Sequence, residues 1–238
     1  MLAYLVAAAP DVAQIAADEG PPVGSVEGVV TFRGEVPMNR LLDQTGNQRP
    51  ILAVDSKTRG VRYLVAFLVV ELPIASARGD LGASSDRHMS VVEQHNDTFE
   101  PHLIAIRSGQ VVKLTNSDFA NHNVHAVSPI STNEFNVFTG VGGEYKHKFF
   151  ADAQDRPVRL VCDIHAWMGG WIYVFDHPLY AVTDAQGRFR ISGIPGAEYK
   201  LVFKQPDVAY SEERTIKVSP GQTTRVEVEI NREDLKVH

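Results

Sequence analysis

Short apolar stretches set off by glycine, proline and polar residues give this chain its pattern. Residues 158–161 and 171–175 are rich in branched and aromatic side chains and predict β-strands. Residues 111–115 predict another, which runs out into the polar Asn116, Ser117 and Asp118. Residues 24–34 alternate apolar with polar and end at a glycine turn, whereas residues 63–70 are apolar on both sides and predict a buried strand. Downstream, residues 181–203 read as two strands around tight turns. Asp184 and Gly187 suit the first turn, and Pro195 with Gly196 the second. Residues 215–218 and 224–230, joined through S-P-G-Q, are expected to complete a meander. The predicted class is all-β.

Length and composition narrow the picture. At 238 residues the chain is long enough for one or two domains. No segment approaches the roughly 20 apolar residues that would span a bilayer, so no transmembrane span is expected. A net charge of −6 offers no electrostatic footprint for nucleic acid. One cysteine excludes an internal disulfide. Residues 1–9 have the apolar character of a signal-peptide core without the positive residues that should precede it. They are read as a modest leader or as a start codon placed too late. Residues 10–23 then form a linker, and residues 74–90 carry the small polar composition of a connector.

The chemistry concentrates in one loop. Cys162 opens a C-x2-H-x2-M run with His165 and Met168, and His122 and His125 lie upstream in the N-H-N-V-H stretch 121–125. Two imidazoles, a thiolate and a thioether are the donor set of a blue-copper electron-transfer site, His2Cys in a plane with a weak axial Met. The sulfur donors are soft and hold Cu(I), while imidazole serves both oxidation states. Such a site gives and takes an electron with little rearrangement. Alternate side chains of a regular strand point to opposite faces, so three ligands this close need a turn curled around the metal. The strands predicted on either side frame that turn. Gly169 and Gly170 are expected to let the backbone leave it through unusual dihedrals. A fourth ligand must come from another strand end, and His122 sits where the 111–115 strand runs out.

These motifs resemble the small cupredoxins, amicyanin most closely, and the similarity extends back through residues 99–116. The resemblance covers residues 88–176 and implies a Greek-key cupredoxin β-sandwich. It implies His122, Cys162, His165 and Met168 as ligands of one type 1 copper ion. It implies that Asn123 braces the two ligand loops near the thiolate, and that His125 does not bind copper and is instead a supporting or surface residue. Ala166 and Trp167 would form an apolar rim for brief docking of protein redox partners, with Trp167 as a buried plug over the metal being the alternative. Trp171 is expected in the core. Because that family works outside the cytoplasm, the chain is expected to be exported, periplasmic or at the cell surface.

A second resemblance lies downstream. T-D-A-Q-G-R-F at 183–189 and I-P-G-A-E-Y-K-L at 194–201 are similar to carboxypeptidase regulatory-like, or transthyretin-like, β-sandwiches, although Gly196 precedes Ala197 where the commoner order is reversed. The G-x-V-x-G-x-V-x-F-x-G-x-x-P run at 24–37 resembles the opening of the same domain. The resulting expectation is a second sandwich built from 24–74 and 177–231, with the cupredoxin inserted. Two tandem domains after an unrelated extension remain the alternative.

An enzyme is not expected. Copper oxidases and nitrite reductases add a catalytic centre built from paired H-x-H motifs, and this chain has none. His88, His95, His102, His147 and His177 are scattered. His102 and His177 each adjoin a proline at an expected domain junction and are the candidates for a second metal site. The remaining alternative is a copper-carrying, structural or adhesive protein of the cell envelope, whose second sandwich contacts a surface or a polysaccharide.

Overall fold

The computed structural model describes residues 22–43, 45–70 and 89–236. The leader and connector readings fall, but for their last two residues each, outside the described residues, as does His88. The described chain is all-β. It opens with β1 (Val23–Arg33), a small hairpin of β2 (Met38–Leu42) and β3 (Gln48–Pro50), and β4 (Val65–Val69). A central run follows: β5 (Ser90–His95), β6 (Thr98–Glu100), β7 (Leu103–Arg107), β8 (Val111–Asn116), β9 (His122–Val127), β10 (Phe135–Thr139), β11 (Glu144–Lys148), β12 (Val158–Val161) and β13 (Gly169–Phe175). The last strands are β14 (Tyr180–Val182), β15 (Arg188–Pro195), β16 (Ala197–Gln205), β17 (Tyr210–Val218) and β18 (Thr223–Asn231). Among the described residues no helix is long and apolar enough to cross a membrane.

The central strands make two sheets, β10-β9-β12-β13-β7 and β11-β8-β5-β6. The first and last strands interleave in two more, β15-β1-β18 and β14-β4-β16-β17. Here the expected meander is corrected. β15 pairs with β1 and β16 with β4, while β17 pairs with β16 and β18 runs parallel to β1. The short connections at Gly196 and at 219–222 are therefore corners between facing sheets. Hairpin and corner share the same turn residues, and the choice between them is made by which apolar faces must meet.

Three cores hold the layers. Val26, Val30, Phe32, Leu201, Phe203 and Val228 help fill the space between the outer sheets. Val92, Leu114, Val124, Leu160 and Ile172 help fill the space between the central sheets, with Cys162 and Met168 among them. A third core joins the two pairs through Tyr63, Val65, Phe67, Leu103, Tyr173, Phe175 and Val202. The uninterrupted apolar run at β4 has its cause here, because Ala66 and Leu68 face the outer core while Val65 and Phe67 face the junction. β13 divides likewise, with Ile172 and Val174 inward and Tyr173 and Phe175 at the junction. Each buried side chain of this size contributes roughly 1.5–3 kcal/mol, so the junction is a core in its own right.

Candidate metal centre

Two neighbouring strands deliver the donors. β9 starts at His122, and β12 ends at Val161, one residue before Cys162. The two pair antiparallel, with Val161 opposite His125. Between β12 and β13 the loop curls on itself, since Met168 N donates to His165 O at 2.9 Å and Cys162 N to Met168 O at 3.3 Å. That curl turns the side chains at 162 and 165 toward one side, which a strand could not do, and leaves Met168 buried in the same core as Cys162.

The donor atoms converge. His122 Nδ1 lies 2.9 Å from His165 Nδ1, and Cys162 Sγ lies 3.9 Å and 3.8 Å from them. A triangle with those sides has a centre about 2.1 Å from each corner, which matches a metal–imidazole bond and comes slightly under a metal–thiolate bond. His122 and Cys162 are buried, as is Met168 in the core beside them, while His165 is half-buried. The three donors therefore fit a metal ion, and the thiolate and two imidazoles, with Met168 in the same core as Cys162, are a donor set suited to copper. The described residues hold one other group with metal-ligating side chains in range, Asp97 and Asp118 around the same His122.

The donors are braced by residues of three kinds. Asp118 Oδ2 accepts from His122 Nε2 at 2.9 Å, which leaves Nδ1 to the metal. Burial works to raise the Asp118 carboxyl, but backbone N–H groups of Asp97 and Asn96 and the His122 ring outweigh it and hold it below the usual range. Asn123 Oδ1 accepts from Asp163 N at 2.8 Å and faces Cys162 Sγ at 3.3 Å, while its Nδ2 donates to Asn136 and Asp163. Asn123 thus ties the start of β9 to the Cys162–Met168 loop and to β10. His125 lies half-exposed with Nδ1 on Asp163 at 3.0 Å. That bond leads the group of contacts from His125, Asn136 and Asn123 that keeps the Asp163 carboxyl low against the opposing effect of burial.

Sequence reasoning missed Asp118 and two buried amides. Gln94 donates to Asn123 O at 3.0 Å and accepts from Thr139 Oγ1 at 2.6 Å, and Asn116 Nδ2 donates to Ala120 O and Thr139 O. Together they lock the approach to β9. Asp118 and Asn116 act partly through partners four residues on, His122 and Ala120, whereas the Gln94 side chain bonds only distant strands, so no single spacing marks all three.

The other expected residues fall as follows. Ala166 is exposed. Trp167 is half-buried against the central core, its ring 5.1 Å from that of His165, and its Nε1 is buried with no hydrogen-bond partner among the described residues. Trp171, expected in the core, packs half-buried at the junction with Nε1 on Asp207 Oδ1 at 2.8 Å. Gly169 and Gly170 do not have the expected dihedrals, since neither has positive φ and both belong to β13. At Gly170 the reason is close approach: a Cβ there would sit 3.1 Å from Phe99 Cβ and 3.2 Å from His102 O. Neither His102 nor His177 joins a metal-competent group among the described residues. His102 bonds Asp207, and His177 Nδ1 accepts from Leu179 N.

No family model matches the chain, and no curated protein matches it. Among solved structures, the Cu-containing nitrite reductase of Thermus scotoductus SA-01 aligns with TM-score 0.33 and 21% identity over 37% of this chain. The chain spans about a fifth of that enzyme's length, 22%. The purple cupredoxin of Nitrosopumilus maritimus aligns with TM-score 0.31 and 20% identity over 36% of this chain and 99% of its own. A reduced amicyanin carrying a single substitution aligns with TM-score 0.33 and 21% identity over 46% of this chain and 98% of its own.

Proposed function

We propose that this chain is a type 1 (blue) copper protein that carries single electrons between redox partners outside the cytoplasm. The observation that carries this reading is the convergence of His122 Nδ1, His165 Nδ1 and Cys162 Sγ beside the buried Met168. Bound there, copper supplies a one-electron couple between Cu(II) and Cu(I). The protein's own part is to keep the donors fixed in both states. Asp118 holds the His122 tautomer, Asn123 ties the loop to β9, and the surrounding core excludes water. His165 is the half-exposed donor, so the electron path to a partner leads through its ring. Ala166 and Trp167 flank it as the docking rim.

Residues 88–176 form a cupredoxin in this reading, inserted into a carboxypeptidase regulatory-like sandwich made by 24–74 and 177–231. The pairing of β1 with β15 and β18, and of β4 with β14 and β16, supports an interrupted outer unit. Export through a leader at 1–9 and a carrier role without catalysis belong to the same proposal. The test is a visible spectrum of the Cu(II)-loaded chain before and after ascorbate, beside Cys162→Ser. An intense thiolate-to-copper band that bleaches on reduction, and is missing from the variant, is expected. Copper binding without that band would leave a carrier or envelope-binding protein instead.

A further inference from the structure

The loop that holds three of the four ligands returns into β13, and that return is gripped by a residue of the outer sheets. Asp207 lies in a short 3-10 turn, Pro206–Val208, that follows β16. Its Oδ1 accepts from Trp171 Nε1 at 2.8 Å, and its Oδ2 accepts from His102 Nε2 at 2.8 Å and from Gln205 Nε2 at 2.8 Å. His102 O accepts from Trp171 N at 2.8 Å. One carboxylate therefore reaches Trp171 twice, directly at its Nε1 and through His102, whose O holds the Trp171 N–H.

The anchor is rigid. Val208 is fully buried in the outer core, and Gln205, 1% exposed, closes the turn by accepting from Val208 N at 3.3 Å. The His102 and Asp207 side chains are 29% and 19% exposed, so the bond between them is largely shielded from water. On the far side of His102 stands Tyr63, with ring centroids 5.9 Å apart, and its hydroxyl bonds Glu100, which also pairs with Arg62. At Gly170 the strand packs closely against Phe99 and His102, and a Cβ there would come within 3.1 Å of Phe99 Cβ and 3.2 Å of His102 O.

The geometry points to Asp207 as a positioning residue that fixes the Met168 end of the metal loop from the outer sheets. This rests on the copper reading above, in which the distance of the axial sulfur tunes the reduction potential. A side chain that holds the strand three residues past the ligand acts as its support, and loosening such a support moves the ligand.

The test compares the full chain with Asp207→Asn, Trp171→Phe and, as a surface control, Glu213→Gln. On the Cu(II)-loaded protein, the two junction variants should change the ratio of the thiolate-to-copper bands and the rhombicity of the EPR spectrum. They should also raise the potential, because a longer axial contact donates less to Cu(II). On the metal-free protein, exchange of the residue-171 amide should accelerate about tenfold, as its local opening is eased by the loss of about one hydrogen bond at the anchor. Glu213→Gln should change none of these. A shifted potential with unchanged bands and EPR would reduce Asp207 to a charge, and unchanged values throughout would remove its role; either overturns the inference. If the wild-type chain shows no blue band, the copper reading has failed by itself. The exchange measurement then still decides whether Asp207 grips the segment.

Discussion

His122 donates from Nε2 to the Asp118 carboxylate at 2.9 Å, so that the same ring presents Nδ1 toward Cys162 and His165. The carboxylate is placed by the β5–β6 turn, where Asn96 and Asp97 adopt positive φ of 52° and 53° and donate both backbone N–H groups to it. The β5–β6 hairpin thereby orients the His122 ring at the start of β9.

Removing that carboxylate should weaken metal binding without unfolding the chain. Asp118→Ala is expected to lower copper affinity about 10–100-fold, and Asp118→Asn, whose amide oxygen can still accept from Nε2, by less. Competition with a chelator of known affinity measures both. Equal affinity in all three proteins would mean that the bond does not matter to the site.

Gly170→Ala should destabilise the metal-free protein by about 1–3 kcal/mol in denaturant unfolding. Its Cβ would meet Phe99, itself 1% exposed, and a backbone oxygen at His102, and neither can move away freely. The gain from a stiffer unfolded chain, about 0.4–1 kcal/mol, is too small to compensate. A more stable variant would show that the packing here is looser than the contacts indicate.

Stability should depend on pH through the junction pair. Burial alone would lower the His102 imidazole, but the hydrogen bond and charge of Asp207 outweigh it and hold it above its ordinary 6.5. Burial would raise Asp207, and His102 and Trp171 hold it low. The His102 contribution is therefore full below pH about 6.5 and fades as pH rises through its higher folded value. The Asp207 contribution is full above pH about 4 and fades as pH falls through its lower folded value. The stability difference between wild type and Asp207→Asn, measured metal-free, should thus be largest from about pH 4 to 6.5. A difference that stays flat from pH 4 to 9 would contradict the assignment.

The parts legible in the sequence were those whose residue types have few other uses. A single cysteine followed by histidine and methionine at intervals of three stands out. So does the apolar run 63–70, which proved to be β4 and its flanks, its first six residues buried on both faces while Val69 is exposed. Asp118, Gln94 and Asn116 are ordinary polar residues whose partners, whether four residues on (His122, Ala120) or on other strands (Asn123, Thr139), no residue type announces. The glycines at 169 and 170 were read as freedom of dihedral when Gly170 serves close approach, two demands that leave the same letter. Tight turns after β15 and β17 looked like hairpins because alternation along a strand does not say which sheet it joins. Asp207 carried no signal at all, since its role depends on two distant segments meeting.

The central claim is electron carriage, and the electron self-exchange rate tests it most directly. Nuclear magnetic resonance line widths in mixtures of the oxidised and reduced copper-loaded protein give that rate. Signals of His165 and Trp167 in the reduced protein should broaden in proportion to the oxidised fraction, as expected of a site that changes little between its two states. Two sharp, superposed spectra with no exchange between them would contradict the account and leave a protein that holds copper without passing electrons.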